Sequence, residues 1–307
     1  MKIALHAFIL LAVIPGLIAA SGPVHAQRIE PRAYINVPVG VNFLALGYVN
    51  SSGALIFDPA LPVTDSDANV DMDVLGYLRT LDIAGQSAKA GVLLPYASLD
   101  ADGYLDGNYV TREQTGLADP SFYLSLNLYG APALSLQEFK GYQQDTIIGL
   151  TFRLTAPTGA YQTDKLINIG TNRWSFEPEI GISKALGPWT LEAAAAVIFY
   201  TDNDEFESDK TREQEPIYST QFNLSYTFSN RIWASLGATY YTGGRTTIDG
   251  VERNDLQQNW RTGFTLALPI DRRNSIKLLA QSGVSTRTGT DYDTLGIFWQ
   301  YRWGGGI

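Results

Sequence analysis

The sequence predicts an all-β fold: a single-chain transmembrane antiparallel β-barrel of about twelve strands, with short periplasmic turns and long extracellular loops. Three observations lead there. Strict alternation of apolar and polar residues recurs in runs of roughly 10 to 15 residues, about twice the length of an ordinary strand. The connections between those runs alternate between long and short. The chain also opens with the features of an export signal.

The signal is read over Met1 to Ala26: Lys2, an apolar run from Ile3 to Ala20, and the small-residue end Val24-His25-Ala26. Residues 27–307 then form the barrel, placed in the bacterial outer membrane. No later stretch is a membrane helix; the richest, "WTLEAAAAVIFY" at 189–200, contains Glu192. Any crossing must be made by strands.

Composition removes several functions. The formal charge of −9 and the lack of a basic run argue against nucleic acid as a partner. There is no cysteine, hence no disulfide, thiol nucleophile or thiolate ligand. The only histidines, His6 and His25, fall in the predicted signal. The exported chain therefore lacks the commonest general base and zinc ligand, so a Ser-His-Asp arrangement cannot be built. No catalytic residue, cofactor or metal site is assigned. The acidic stretches Asp58 to Asp73 and Asp202 to Asp209 do not have calcium-loop spacing and are read as solvated faces.

Strands are expected near 33–48, 70–81, 86–99, 120–130, 145–157, 173–185, 188–201, 217–229, 231–242, 258–269, 274–285 and 292–303. Between 218 and 228, for example, Tyr218, Thr220, Phe222, Leu224, Tyr226 and Phe228 alternate with Ser219, Gln221, Asn223, Ser225 and Thr227. Short turns fall at Asp82 to Gly85, Gly187-Pro188, Ser229-Asn230 and Ile270 to Arg273; the longer connection 131–144 is an exception on the same side. A secreted β-sandwich also alternates, but with strands of about five or six residues.

The alternation assigns faces. Ile148, Leu150, Phe152, Ile180, Leu191, Phe264 and Leu278 are expected to face lipid. Arg79, Arg153, Arg173, Arg261, Lys277, Glu177, Glu179 and Glu192 are expected to face the lumen, where opposite charges can pair or line a pore. Their blander role is salt-bridged filling of a narrow barrel. Tyr77, Tyr123, Tyr129, Tyr161, Trp233 and Tyr241 are assigned inward or near the rims as candidates to line a solute path, or else as girdle and filler. Trp174 and Trp260 on one side, with Trp189, Trp299 and Trp303 on the other, make two interfacial belts. The closing run "LGIFWQYRW" at 295–303 places Leu295, Ile297, Trp299, Tyr301 and Trp303 on one face. It resembles the strand by which such barrels are recognised by insertion machinery, although Gly304 to Ile307 follow it as a tail.

Two stretches carry a resemblance to a family. One runs from Leu154 to Glu192 and includes Pro157, Gly159, Tyr161, Asn168, Gly170, Trp174, Pro178, Gly181, Gly187 and Trp189; the other is "GLADP" at Gly116 to Pro120, leading into Phe122. Together they resemble the outer-membrane transport proteins associated with meta-pathway phenol degradation. The resemblance implies a barrel that admits hydrophobic or aromatic compounds. The expected function is passive uptake of small molecules, with the lipid bilayer and a small-molecule solute as partners. Two alternatives stay open: a plugged structural or loop-binding barrel, and a histidine-free membrane-embedded enzyme.

Overall fold

A chain that alternates two-fold for 10 to 20 residues at a time can bury one face by closing a single sheet on itself, and that is what is observed. The computed structural model describes residues 29–56 and 63–307; the predicted signal and Asp58 lie outside them. Among the described residues the strands are β1 (Val41–Ile56), β2 (Val63–Ile83), β3 (Gln86–Leu105), β4 (Asn108–Leu117), β5 (Ser121–Tyr129), β6 (Thr146–Thr155), β7 (Ser175–Leu186), β8 (Trp189–Tyr200), β9 (Asn203–Phe206), β10 (Lys210–Gln214), β11 (Ile217–Thr227), β12 (Trp233–Gly243), β13 (Thr246–Ile248), β14 (Val251–Glu252), β15 (Gln257–Pro269), β16 (Asn274–Ser285) and β17 (Gly289–Gly304).

Thirteen of these form one antiparallel sheet that closes through β1 on β17 and β2 on β3. Strand β4 pairs only with the outer half of β3, which leaves twelve barrel strands. Pro95 marks the change of partner: below it β3 pairs with β5 and above it with β4, as suits a residue with no N–H to donate. Strands β9, β10, β13 and β14 form a separate four-stranded sheet over the outer end.

The alternation sets the faces as expected along β6, β7, β8, β11, β15 and β16. Leu150, Phe152, Ile180, Leu191, Phe222 and Phe264 are exposed on the outside, where lipid rather than water is the natural solvent. The aromatic belts are present: Trp299, Tyr301 and Trp303 stack in sequence with centroids 6.1 and 5.6 Å apart, and Tyr240 meets Trp260 at 4.9 Å.

Four expectations differ. The first strand begins at Val41, not near 33, because residues 29–40 thread the lumen instead of joining the wall. Tyr34, Ile35, Asn36 and Val37 are buried consecutively, which a wall strand with one lipid face cannot do. The stretches expected to be long loops at 49–69 and 100–119 are largely strand, since β1, β2 and β3 extend beyond the membrane and β4 returns beside β3. The connection 131–144 is not a free loop. It folds across the periplasmic end, with a 3-10 turn at Glu138–Gly141, and holds the luminal segment through Val39 N–H to the Leu134 carbonyl at 2.9 Å and Asn36 Nδ2 to the Pro132 carbonyl at 3.0 Å. Finally, the tail does not hang free. Gly304, Gly305 and Gly306 all have positive φ, which turns Ile307 back to pack against the interior cluster that contains Val41 and Phe43.

Candidate functional site

The interior has two unlike walls. Strands β1, β2, β3 and β17 present Phe43, Val49, Val70, Met72, Val74, Leu93, Leu99 and Phe298, one continuous apolar cluster. The remaining strands present Arg153, Glu177, Glu192, Asn223, Ser225, Thr239, Asn259, Arg261, Thr265 and Lys277, all buried. Apolar residues therefore occupy both faces of β1–β3, whereas on β6, β7, β8, β11, β12, β15 and β16 the inward face is mostly polar, with Ile147, Ile198, Ile217, Trp233 and Leu279 among its apolar members.

Residues 29–40 lie between the walls. Glu30 pairs with Arg153 at 3.1 Å, and Arg153 also lies 3.7 Å from Glu177. The Arg32 N–H donates to Glu192, its guanidinium reaches Thr227 Oγ1 at 3.2 Å, and it stacks 5.1 Å over Trp233. Tyr34 donates its hydroxyl to Glu179 Oε1 at 2.6 Å, and Lys89 Nζ donates to the Ala33 carbonyl at 2.6 Å. Buried charges need partners. Here the threaded segment supplies them.

The wall is shaped to receive the segment. Inward-facing Gly149 and Gly181 are cross-strand neighbours, and a Cβ on either would lie 2.3 or 2.0 Å from the Tyr34 ring. Gly237 and Gly263 are likewise neighbours, where a Cβ would fall 2.4 or 2.9 Å from Ile29. Only glycine allows the approach at these two pairs.

The residues assigned to the lumen from sequence divide as follows. Arg153, Arg173, Glu177, Glu179, Glu192, Arg261, Lys277, Tyr123, Trp233 and Tyr241 point inward, while Tyr161 sits in the outer loop 156–174. Arg153 lies 3.7 Å from Glu177. Arg261 donates to the Tyr292 carbonyl at 2.7 Å, and the Lys277 ammonium lies 5.4 Å over Phe298. Three assignments are corrected. Arg79 and Tyr77 lie on the outer face of β2, opposite Asn42 and Leu44, with Tyr77 6.2 Å from Trp303 in the lower belt. The inward residues of β2 are Met72, Val74, Leu78 and Thr80, an apolar luminal face that alternation alone does not distinguish from a lipid face. Tyr129 is 62% exposed, because a bulge after Asn127 pairs it with outward Ile148 and reverses the parity.

Sequence reasoning missed Glu30, Arg32, Tyr34 and Lys89. Lys89 shares its β3 face with Gly91 and Leu93 and was accessible to the alternation argument. The other three precede the barrel, and no periodicity marks them.

At the outer end the two family-like stretches meet. Asp119 of GLADP accepts from Gly159 N–H at 2.8 Å, from Thr171 N–H at 2.8 Å and from Thr171 Oγ1 at 2.6 Å. A Cβ at Gly159 would sit 2.7 Å from Asp119 Oδ1, and one at Gly170 would sit 2.8 Å from the Gly159 carbonyl carbon. The spacing of these residues thus encodes one knot that folds loop 156–174 onto β3 and β4.

A closed twelve-strand antiparallel barrel with an apolar outer band and aromatic belts is an outer-membrane β-barrel, in contact with the lipid bilayer. Comparison with known proteins is consistent with that class. The chain belongs to the family described as "Putative MetA-pathway of phenol degradation", whose pattern matches residues 49–301. It is similar in fold to an outer membrane channel from Pseudomonas putida F1, at 22% identity and TM-score 0.77 over 90% of this chain and 100% of that one. A more distant likeness is to the beta domain of the Bordetella autotransporter BrkA, at 12% identity and TM-score 0.52 over 86% and 100% of the two chains. No curated protein matches.

Proposed function

We propose that the barrel is a passive outer-membrane channel for small hydrophobic or aromatic molecules. The observation that carries the reading is the apolar luminal wall of β1–β3 and β17. In a water-filled general pore, that surface would expose Val49, Met72, Val74 and Leu99 to water at a cost of about 25 cal/mol per Å². A path for apolar solutes along this wall, which Val37, Ile169 and Ile307 cover in part, gives it a use. The family's association with phenol degradation and the channel fold of the Pseudomonas relative support the same reading.

The test is liposome uptake of a neutral aromatic, a long-chain carboxylate and a small sugar of similar mass. Acceleration of the aromatic above its spontaneous permeation, with the sugar unchanged, is the expected result; equal acceleration of all three refutes selectivity. The segment 29–40 favours a second reading, a plugged barrel that acts through its loops. Wild-type protein that accelerates none of the three would establish that reading instead.

A further inference from the structure

The outer end of the barrel holds two arginines that form no ion pair with any described acidic residue. Arg173 precedes β7 and turns inward beneath loop 156–174, only 8% exposed. Its Nη2 donates to Gln214 Oε1, and its guanidinium stacks 4.3 Å over Tyr200. Nη1 is buried with no hydrogen-bond partner among the described residues. Arg212, half-buried on β10, lies 5.3 Å from the Phe206 ring. Among the described residues neither guanidinium forms an ion pair.

The carboxylates that influence them are already engaged. Asp119 is bound by Gly159 and Thr171, and Asp255 accepts from Thr246 N–H at 2.8 Å and Thr246 Oγ1 at 2.6 Å. Burial first, and the neighbouring charge of Arg212 second, push Arg173 down to about 9. Burial also lowers Arg212. Holding two like charges together in a low-dielectric site is unfavourable. In a chain with 31 acidic residues, the missing counter-charge is not a matter of supply.

Aromatic surface surrounds the pair. Tyr161 and Tyr200 lie near enough to act on the charge of both arginines. The Tyr161 hydroxyl accepts from Asn203 Nδ2 at 2.8 Å, which leaves its own proton free to donate. Tyr161, Tyr200 and Arg212 are each partly exposed above buried Arg173.

We propose that Arg173, Arg212, Tyr161 and Tyr200 form a binding site at the outer mouth for a small aromatic carboxylate. The carboxylate bridges Arg173 Nη1 and Arg212 and accepts from the Tyr161 hydroxyl, while the ring packs against the exposed part of Tyr200. Arginine is suited to this recognition by its planar donor fork and its stacking on aromatic faces. The proposal rests on reading the barrel as a solute path and names the solute class selected at its mouth.

The test is calorimetric titration of the full, detergent-solubilised chain with benzoate, and with benzyl alcohol and acetate as the neutral aromatic and the non-aromatic anion. Benzoate is expected to bind at least tenfold more tightly than either. Arg173→Gln is expected to weaken benzoate by about ten- to a hundredfold, the worth of a charge-assisted hydrogen bond, with exposed Arg287→Gln unchanged. Should Arg173→Gln fail to fold, Arg212→Gln on the loop sheet is expected to lose at least fivefold. Benzoate no tighter than both controls, or undiminished in folded Arg173→Gln and Arg212→Gln, overturns the site. Liposome uptake of benzyl alcohol separates the two readings: uptake without benzoate binding sinks the site and leaves the path, whereas arginine-dependent binding without any uptake upholds the site and sinks the path.

Discussion

Giving Gly181 a methyl group should release the threaded segment. A Cβ at Gly181 would lie 2.0 Å from Tyr34 Cε2, well inside van der Waals contact, and the ring has no room to slide because Gly149 closes the other side of the same notch. Displacing Tyr34 loses its hydrogen bond to the Glu179 carboxylate, 2.6 Å long and worth about 1.5–3 kcal/mol. It also exposes a ring now only 2% accessible, worth about another 1.5–3 kcal/mol. The sum, roughly 3–6 kcal/mol, shifts the ratio of docked to undocked segment by about 10² to 10⁴. Planar-bilayer recordings should therefore show a larger conductance state for Gly181→Ala, populated at least a hundredfold more often than in wild type. Tyr34→Ala should reproduce it, and the double variant should add little, since both changes remove the same contact. If both single variants remain heat-modifiable barrels with wild-type conductance, the segment does not obstruct the lumen and the argument fails.

Three further outcomes are expected. Arg153→Glu, which places three carboxylates together where one cation now serves Glu30 and Glu177, should shift ion selectivity toward cations in bilayers, while Asp204→Lys on the outer loop should change it little; equal effects would contradict the luminal placement. Asp119→Ala removes three acceptor contacts, each worth about 1.5–3 kcal/mol at a charged group. Limited proteolysis should then cut loop 156–174 in the variant and spare it in wild type. In the β15–β16 turn, the N–H groups of Arg273 and Asn274, with the Asn274 side chain, hold the Asp271 carboxyl below the usual carboxylate range. A lowered value favours the folded turn above the ordinary Asp pKa and loses that advantage as pH falls through the lowered one. Protection factors of the 273 and 274 amides, measured against the intrinsic exchange rate at each pH, should accordingly hold until below about pH 4, and loss of protection already at neutral pH would refute it.

The parts legible in the sequence were those governed by period two. Lipid on one side and a polar lumen on the other impose a strict alternation on β6, β7, β8, β11, β15 and β16, and Arg153, Glu177, Glu192 and Arg261 follow it inward. Where both faces are apolar the rule loses its contrast. On β2, Leu75 faces out and Leu78 faces in, so hydropathy alone could not orient the strand, and Arg79 and Tyr77 were placed on the wrong side. Tyr129 failed for a different reason, a single bulge that no periodic signal announces.

The threaded segment was illegible because a chain packed among side chains on all sides obeys no period. Its mark lies elsewhere, in the residues that receive it. Gly149 and Gly181 stand at inward positions of adjacent strands, as do Gly237 and Gly263. Each is a costly choice in a strand interior, where glycine gives up conformational freedom and packs nothing. One such residue reads as a tolerated defect. Two neighbouring pairs on the luminal face leave flat patches of bare backbone, and a barrel whose lumen held only water would have no reason to accept that loss twice. The inward glycine pairs are therefore the sequence-level trace of something seated inside the wall, and Tyr34 and Ile29 are what the wall was cut to hold.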